Sequence, residues 1–129
     1  MIKRSRPKDE ILRILSVPDH HPTTEEIFAE VKSLLPDTGI ATVYRNLEKL
    51  TSSGMIIKLE RGSGSSRYDG NLVKHDHCVC KICGKTSDVW LNHGLGDKDL
   101  SDVVPGFEVS DYTLEFFGVC GECAKRKKN

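Results

Sequence analysis

The sequence predicts an α+β chain in two parts, on three observations. Apolar residues recur at helical spacing in three successive segments as far as Leu50, a short hairpin pattern follows, and a β-rich stretch beyond it carries two Cys-x-x-Cys pairs. Three helices and then a hairpin is the order of a winged helix-turn-helix domain, whose third helix enters the major groove of DNA while the hairpin lies along the backbone. The rest reads as a small α/β domain stapled by zinc. The texture changes across residues 70–74, so the expected domains are 1–70 and 71–129.

Ser5 followed by Pro7 suits a helix N-cap with proline in the first turn, and Ile11, Leu12, Ile14 and Leu15 form the inner face of a short helix that Pro18 ends. His20-His21-Pro22-Thr23 makes a turn. Thr23 with Glu26 is a capping box opening a second helix, with Ile27, Phe28, Val31 and Leu34 inward and Pro36 as its stop. Ile40, Val43, Tyr44, Leu47 and Leu50 then fall on one helical stripe, and Gly54 stands where a C-terminal cap belongs. Residues 55–59 and 66–68 read as strands joined by a flexible turn over 61–65. In the second domain, strands are expected at 77–82, 86–91, 107–110 and 113–117, with a brief helix over 99–104. The basic run from Lys125 to Lys128 reads as a solvated tail.

With 129 residues the chain has room for one ordinary domain or two very small ones, and small lobes commonly need a metal to supplement a limited core. Formal charge sums to zero, which excludes adhesion to nucleic acid through bulk charge; any such binding depends on where charges sit. Lys3, Arg4, Arg6 and Lys8 gather at the start, and Asp97, Asp99 and Asp102 gather late. Met1 to Arg6 leads into polar sequence rather than an apolar signal core, and no apolar run approaches membrane-spanning length. The expected location is cytoplasmic, with no membrane partner. Five cysteines in a reducing compartment favour a four-thiolate shell and one spare thiol over disulfides.

The shell is Cys80, Cys83, Cys120 and Cys123, because two Cys-x-x-Cys knuckles wrap one tetrahedral zinc, with Gly84 and Gly121 freeing the backbone beside them. His75-x-His77 cannot enter that filled shell and must serve a second site. Along a strand these two imidazoles share one face, while Cys80 has the opposite parity. Two other classes compete: a thioredoxin-like redox pair at Cys80 and Cys83, which would leave the second pair idle, and a zinc-ribbon interaction module, which would leave the helical half without a role. The outward face of the third helix carries Ala41, Thr42, Arg45, Glu48 and Lys49. Small residues allow close approach to a groove, and Arg45 offers a fork to guanine or phosphate. Lys3, Arg4, Arg6, Lys58, Arg61 and Arg67 flank it in this plan.

The succession His21-Pro22-Thr23, Ala41-Thr42-Val43-Tyr44-Arg45-Asn46-Leu47, Ser66-Arg67-Tyr68-Asp69, His75-x-His77-x-x-Cys80-x-x-Cys83-Gly84 and Gly118-Val119-Cys120-x-x-Cys123 resembles the ferric uptake regulator family over nearly the whole chain. That resemblance implies a homodimeric, metal-responsive transcription regulator rather than an enzyme. Its partners would be double-stranded operator DNA and a second copy, with no small organic substrate. It also implies a regulatory site of His21, Asp69, His75, His77 and Asp88 for iron or manganese, with zinc as a further candidate. Tyr44 and Arg45 would meet bases beside Thr42 and Lys49, and Lys8 and Arg67 would meet phosphates. Aspartate at both 69 and 88 looks like the peroxide-sensing branch, as does the absence of histidine at Asp111 and Tyr112. Arg45 is more familiar in iron-uptake members, which with zinc-uptake members form the alternative. The usual Thr-x-x-Arg opening of the first helix appears as Ser5-x-x-Lys8. His20 and His93 read as surface residues, and Cys78 as a strand thiol.

Overall fold

A computed structural model describes residues 5–60, 66–95 and 99–127. Lys3, Arg4, the turn 61–65 with Arg61, Asp97 and Lys128 lie outside the described residues. The chain divides into two compact units, Met1–Val73 and Lys74–Asn129, and that division lies within residues 70–74, where the sequence texture changes.

Unit 1 begins with helix α1 (Arg6–Leu15), capped by Ser5, whose extended backbone lets its Oγ accept the Lys8 N–H at 3.2 Å. Pro7 sits in the first turn, where a missing N–H costs nothing. Helix α2 (Thr24–Leu34) opens with both halves of the capping box formed: Thr23 Oγ1 accepts the Glu26 N–H at 3.2 Å, and Glu26 Oε1 accepts the Thr23 N–H at 3.0 Å. Leu34, expected inside, is exposed. The backbone leaves helical geometry at Leu35, and that side chain packs against the core instead.

Helix α3 (Ile40–Ser52) buries Val43, Leu47 and Leu50 alone, so Ile40 and Tyr44 fall outside the expected stripe and are exposed. Three positions at spacing four and three suffice to span its contact with α1 and α2. The helix ends in a Schellman motif. Gly54 takes a φ of +78°, its N–H donates to Thr51 O at 3.1 Å, and the Met55 N–H donates to Leu50 O at 3.0 Å. With the Met55 backbone spent on that cap, strand β1 covers only Ile57–Leu59, pairing antiparallel with β2 (Arg67–Asp69) through Lys58 and Tyr68. The three helices pack pairwise around Ile11, Ile14, Ile27, Val31, Val43, Leu47 and Leu50. Just after β2 the chain passes close to α1; a Cβ on Gly70 would run into the Leu15 carbonyl oxygen.

Unit 2 is a three-stranded sheet of order β4-β3-β5, formed by β3 (Asp76–Cys80), β4 (Thr86–Val89) and β5 (Glu115–Gly118). β3 runs antiparallel to β4, with His77 opposite Asp88, and parallel to β5, with His77 beside Glu115. No strand forms at 107–110, although β4 and β5 each leave an outer edge of the sheet unpaired among the described residues. The expected helix is one 3-10 turn, Leu100–Asp102, capped by Asp99 Oδ1 accepting the Ser101 N–H at 3.0 Å. The basic run is no free tail as far as it is described. It ends helix α4 (Gly121–Lys127), where Glu122 in the first turn and Lys125 and Arg126 later complement the helix dipole. No helix among the described residues is long and apolar enough to cross a membrane.

Candidate functional site

The sheet of unit 2 delivers the first cysteine pair at the end of β3. There the Ile82 N–H donates to Cys80 Sγ at 3.4 Å and the Gly84 N–H to Cys80 O at 3.0 Å, Gly84 turning back with a φ of +80°. The second pair follows β5, with Cys123 in the first turn of α4 and the Ala124 N–H bonded to Cys120 O at 2.9 Å. The Cys120 N–H donates to Cys80 Sγ at 3.3 Å, and the Lys81 N–H to Gly118 O at 2.8 Å, so the two knuckles are locked together. All four sulfurs lie within 4.8 Å of one another, and Cys83 and Cys120 Sγ are 3.8 Å apart. That matches the edge of about 3.8 Å expected for sulfurs about 2.3 Å from one zinc.

The electrostatics agree with the spacing. Backbone N–H groups of Cys83 and Cys120 aimed at Cys80 lower its thiol to about 6, while the neighbouring Cys120 thiol and burial push Cys123 up to about 12. A divalent cation relieves that crowding of sulfur. The four thiols therefore form a closed zinc-type site. Cys80-x-x-Cys83 ends a strand and lies in a turn, not at the start of a helix where a thioredoxin-like pair belongs. Cys78, half-buried on β3, stands outside the cluster.

In unit 1, β2 runs beside the turn before α2. Tyr68 N–H donates to Pro22 O at 3.0 Å, and Thr23 forms a bridge with Arg67. His21 is buried, with Asp69 Oδ2 3.4 Å from its Nε2 and Asp19 Oδ1 3.8 Å from its Nδ1. Asp69 Oδ1 also accepts the Asn71 N–H at 2.8 Å, which fixes the carboxylate.

In unit 2, Asp88 Oδ1 lies 2.9 Å from His75 Nε2 and 3.5 Å from His77 Nε2, the second contact following from their register. The two imidazoles are 4.6 Å apart between centroids. Each unit thus carries imidazole nitrogen against carboxylate oxygen, a donor set that fits Fe, Mn or Zn.

Sequence reasoning missed one neighbour of this group and one bond made by the strand that carries it. Trp90 stacks on His75 with ring centroids 4.8 Å apart and planes at 22°. His93, expected as a surface residue, is held: Leu95 N–H donates to its Nδ1 at 3.1 Å, so Nε2 carries the proton and donates to Asp76 Oδ2 at 2.8 Å. Asp76 between the two histidines was the only available signal for a partner on the opposite face.

On α3, Tyr44, Arg45 and Lys49 face outward, and Arg45 Nη2 donates to Thr42 Oγ1 at 3.2 Å, which pre-orients the guanidinium. Lys8 is buried to 9% exposure, since it shares the inner stripe of α1 with Ile11 and Leu15. A phosphate could meet only its ammonium tip. Arg67 has protein partners: Nη1 donates to His21 O at 2.8 Å and lies 3.4 Å from Glu26 Oε1.

A winged helix-turn-helix unit joined to a unit with a four-thiol shell and imidazole–carboxylate donors defines a metal-binding transcription regulator. The chain belongs to the ferric uptake regulator family, whose model matches residues 1–117. It is 38% identical over 110 residues to the peroxide operon regulator of Bacillus subtilis (strain 168), covering 84% of this chain and 75% of that protein. Among solved structures it is similar to the Helicobacter pylori ferric uptake regulator Fur, for which three functional metal-binding sites are described, with a TM-score of 0.80 and 25% identity over 95% of this chain and 83% of that one. It is also similar to the Campylobacter jejuni peroxide stress regulator, with a TM-score of 0.75 and 26% identity over 91% of this chain and 88% of that one. Members of the family are DNA-binding homodimeric regulators.

Proposed function

We propose that this protein is a cytoplasmic homodimeric repressor that holds operator DNA while a regulatory iron or manganese ion is bound, and lets go when hydrogen peroxide damages the site. The observation that carries the reading is the pairing of aspartates, at both 69 and 88, with histidines. Likeness to the Bacillus subtilis peroxide operon regulator supports it. His21 and Asp69 from unit 1, with His75, His77 and Asp88 from unit 2, would hold one ion. Filling the set then favours one orientation of the DNA-reading helices, which is linkage between metal and DNA.

A ferrous ion would supply the one-electron chemistry that activates peroxide, which a manganous ion does not. His21 and His75 are the rings exposed to that chemistry. An imidazole and one peroxide yield an oxo-imidazole and one water, and the altered ring is a poorer donor. Tyr44 and Arg45 would read bases, with Thr42 steadying Arg45, while Lys49 and the Lys8 tip meet phosphates.

The test compares Fe-loaded and Mn-loaded protein on operator DNA. After peroxide, the Fe form should leave DNA and a peptide bearing His21 or His75 should gain one oxygen by mass spectrometry, while the Mn form keeps its DNA. Cysteine oxidation with both histidine peptides unchanged would overturn the reading. An iron- or zinc-uptake regulator is the second reading, favoured by the exposed Arg45 and the likeness to the Helicobacter pylori regulator. In that case DNA binding follows metal concentration alone.

A further inference from the structure

We infer that Arg67 is a positioning residue, holding the backbone of His21 so that its imidazole meets Asp69, and is not a phosphate contact. The inference rests on the proposed regulatory site. Three consecutive residues of β2 grip the turn that carries His21. Arg67 Nη1 donates to His21 O at 2.8 Å, Tyr68 N–H donates to Pro22 O at 3.0 Å, and Asp69 Oδ2 lies 3.4 Å from His21 Nε2. Arg67 and Asp69 share one face of the strand, so one element holds His21 at both its carbonyl and its ring.

Arg67 also lies 3.4 Å from Glu26 Oε1, the same oxygen that accepts the Thr23 N–H at 3.0 Å in the cap of α2. The guanidinium therefore joins the histidine turn to the start of a helix packed against α3. Its side chain is only 19% exposed, which suits a charge-assisted internal bond better than a phosphate clamp. Groups that orient a ligand histidine commonly change metal affinity by about 10- to 100-fold when removed. A phosphate contact instead changes the slope of log affinity against log salt by about 0.9.

Full-length, zinc-filled protein is titrated with Mn²⁺, and DNA binding at saturating Mn²⁺ is followed against salt. Arg67→Ala should weaken Mn²⁺ binding on the order of tenfold and leave the salt slope as in the wild type. Arg67→Lys, which keeps the charge without the fork, should weaken Mn²⁺ binding in the same direction, and it serves if the alanine variant fails to fold. Leu47→Ala loosens the same unit without touching the turn and should leave Mn²⁺ affinity unchanged. Unchanged Mn²⁺ affinity in the Arg67 variants, with or without a flatter salt slope, overturns the inference, as does an equal loss in Leu47→Ala. His21→Ala separates the two levels: if it binds Mn²⁺ like the wild type, the proposed site itself fails, whereas a loss there beside unchanged Arg67 variants sinks the inference alone.

Discussion

Among the described residues, unit 1 gathers ten buried side chains, from Ile11 to Tyr68, into one apolar cluster, whereas the buried hydrophobic residues of unit 2 are Val79, Cys80 and Cys123. In the same unit 2, Trp90 is 62%, Phe107 67% and Phe117 64% exposed. One unit is held by removal of apolar surface from water, the other by a metal shell and, in a family of homodimers, by whatever its partner covers. The difference teaches that the DNA-reading and metal-holding halves answer to different stresses. Heat and cavities threaten the first; acid and chelators threaten the second.

The largest effect that would sharpen this contrast is removal of the shell. Cys123→Ser, or exhaustive chelation, should abolish bound zinc, ordered structure in unit 2 and dimerisation together, while unit 1 keeps its helical circular dichroism. A stable, zinc-free dimer would break the comparison outright. Acid should act in the same sense, because zinc takes thiolates and releases their protons. The backbone N–H groups of Cys83 and Cys120 that lower the Cys80 thiol to about 6 favour its thiolate in the folded chain, a contribution full above the ordinary thiol range and lost as pH falls through that value. Zinc retention measured between pH 8 and pH 5 should fall accordingly.

Next in size is the core of unit 1. Leu47→Ala should cost about 2–5 kcal/mol by urea unfolding of that unit, with zinc content untouched. Zinc loss in that variant would mean the two units are not separately held. The smallest effect is Thr23→Ala, which removes one half of the capping box and should cost about 1 kcal/mol. It should also slightly loosen the histidine turn; thermal melts that match the wild type would show the cap to be redundant with Arg67.

What could be read from the chain beforehand follows the range of the forces involved. Ser5, Thr23 with Glu26, and Gly54 act within a turn of their own position, and all three do what their neighbours in sequence demand. The thiol shell was legible for the same reason, since each knuckle is local. Leu34 and Tyr44 were misjudged because periodicity fixes a stripe but not how much of it a neighbour covers. The parallel pairing of β3 with β5 and the His93–Asp76 bond join positions far apart in sequence, where no local pattern speaks. Helix α4 hid behind its charges, although Glu122 ahead of Lys125 and Arg126 was a usable sign. Asp69 and Asp88 as partners of histidines came from family likeness; nothing in their own surroundings in sequence marks them.

The bond from the Cys120 N–H to Cys80 Sγ, together with the parallel pairing of β3 and β5, has a bearing on the order in which the molecule can come into being. A ribosome makes unit 1 entire by Val73 and then β3 and β4, but nothing can close the shell until Cys123 has been added. At about 5–20 residues per second, that leaves an interval of seconds. During it the helical half can already fold, while Cys80 and Cys83 wait as a bare thiol pair beside an unpaired strand edge. Two thiolates hold zinc poorly compared with four, so the nascent chain passes through a window in which oxidants and competing soft metals have their best access to it.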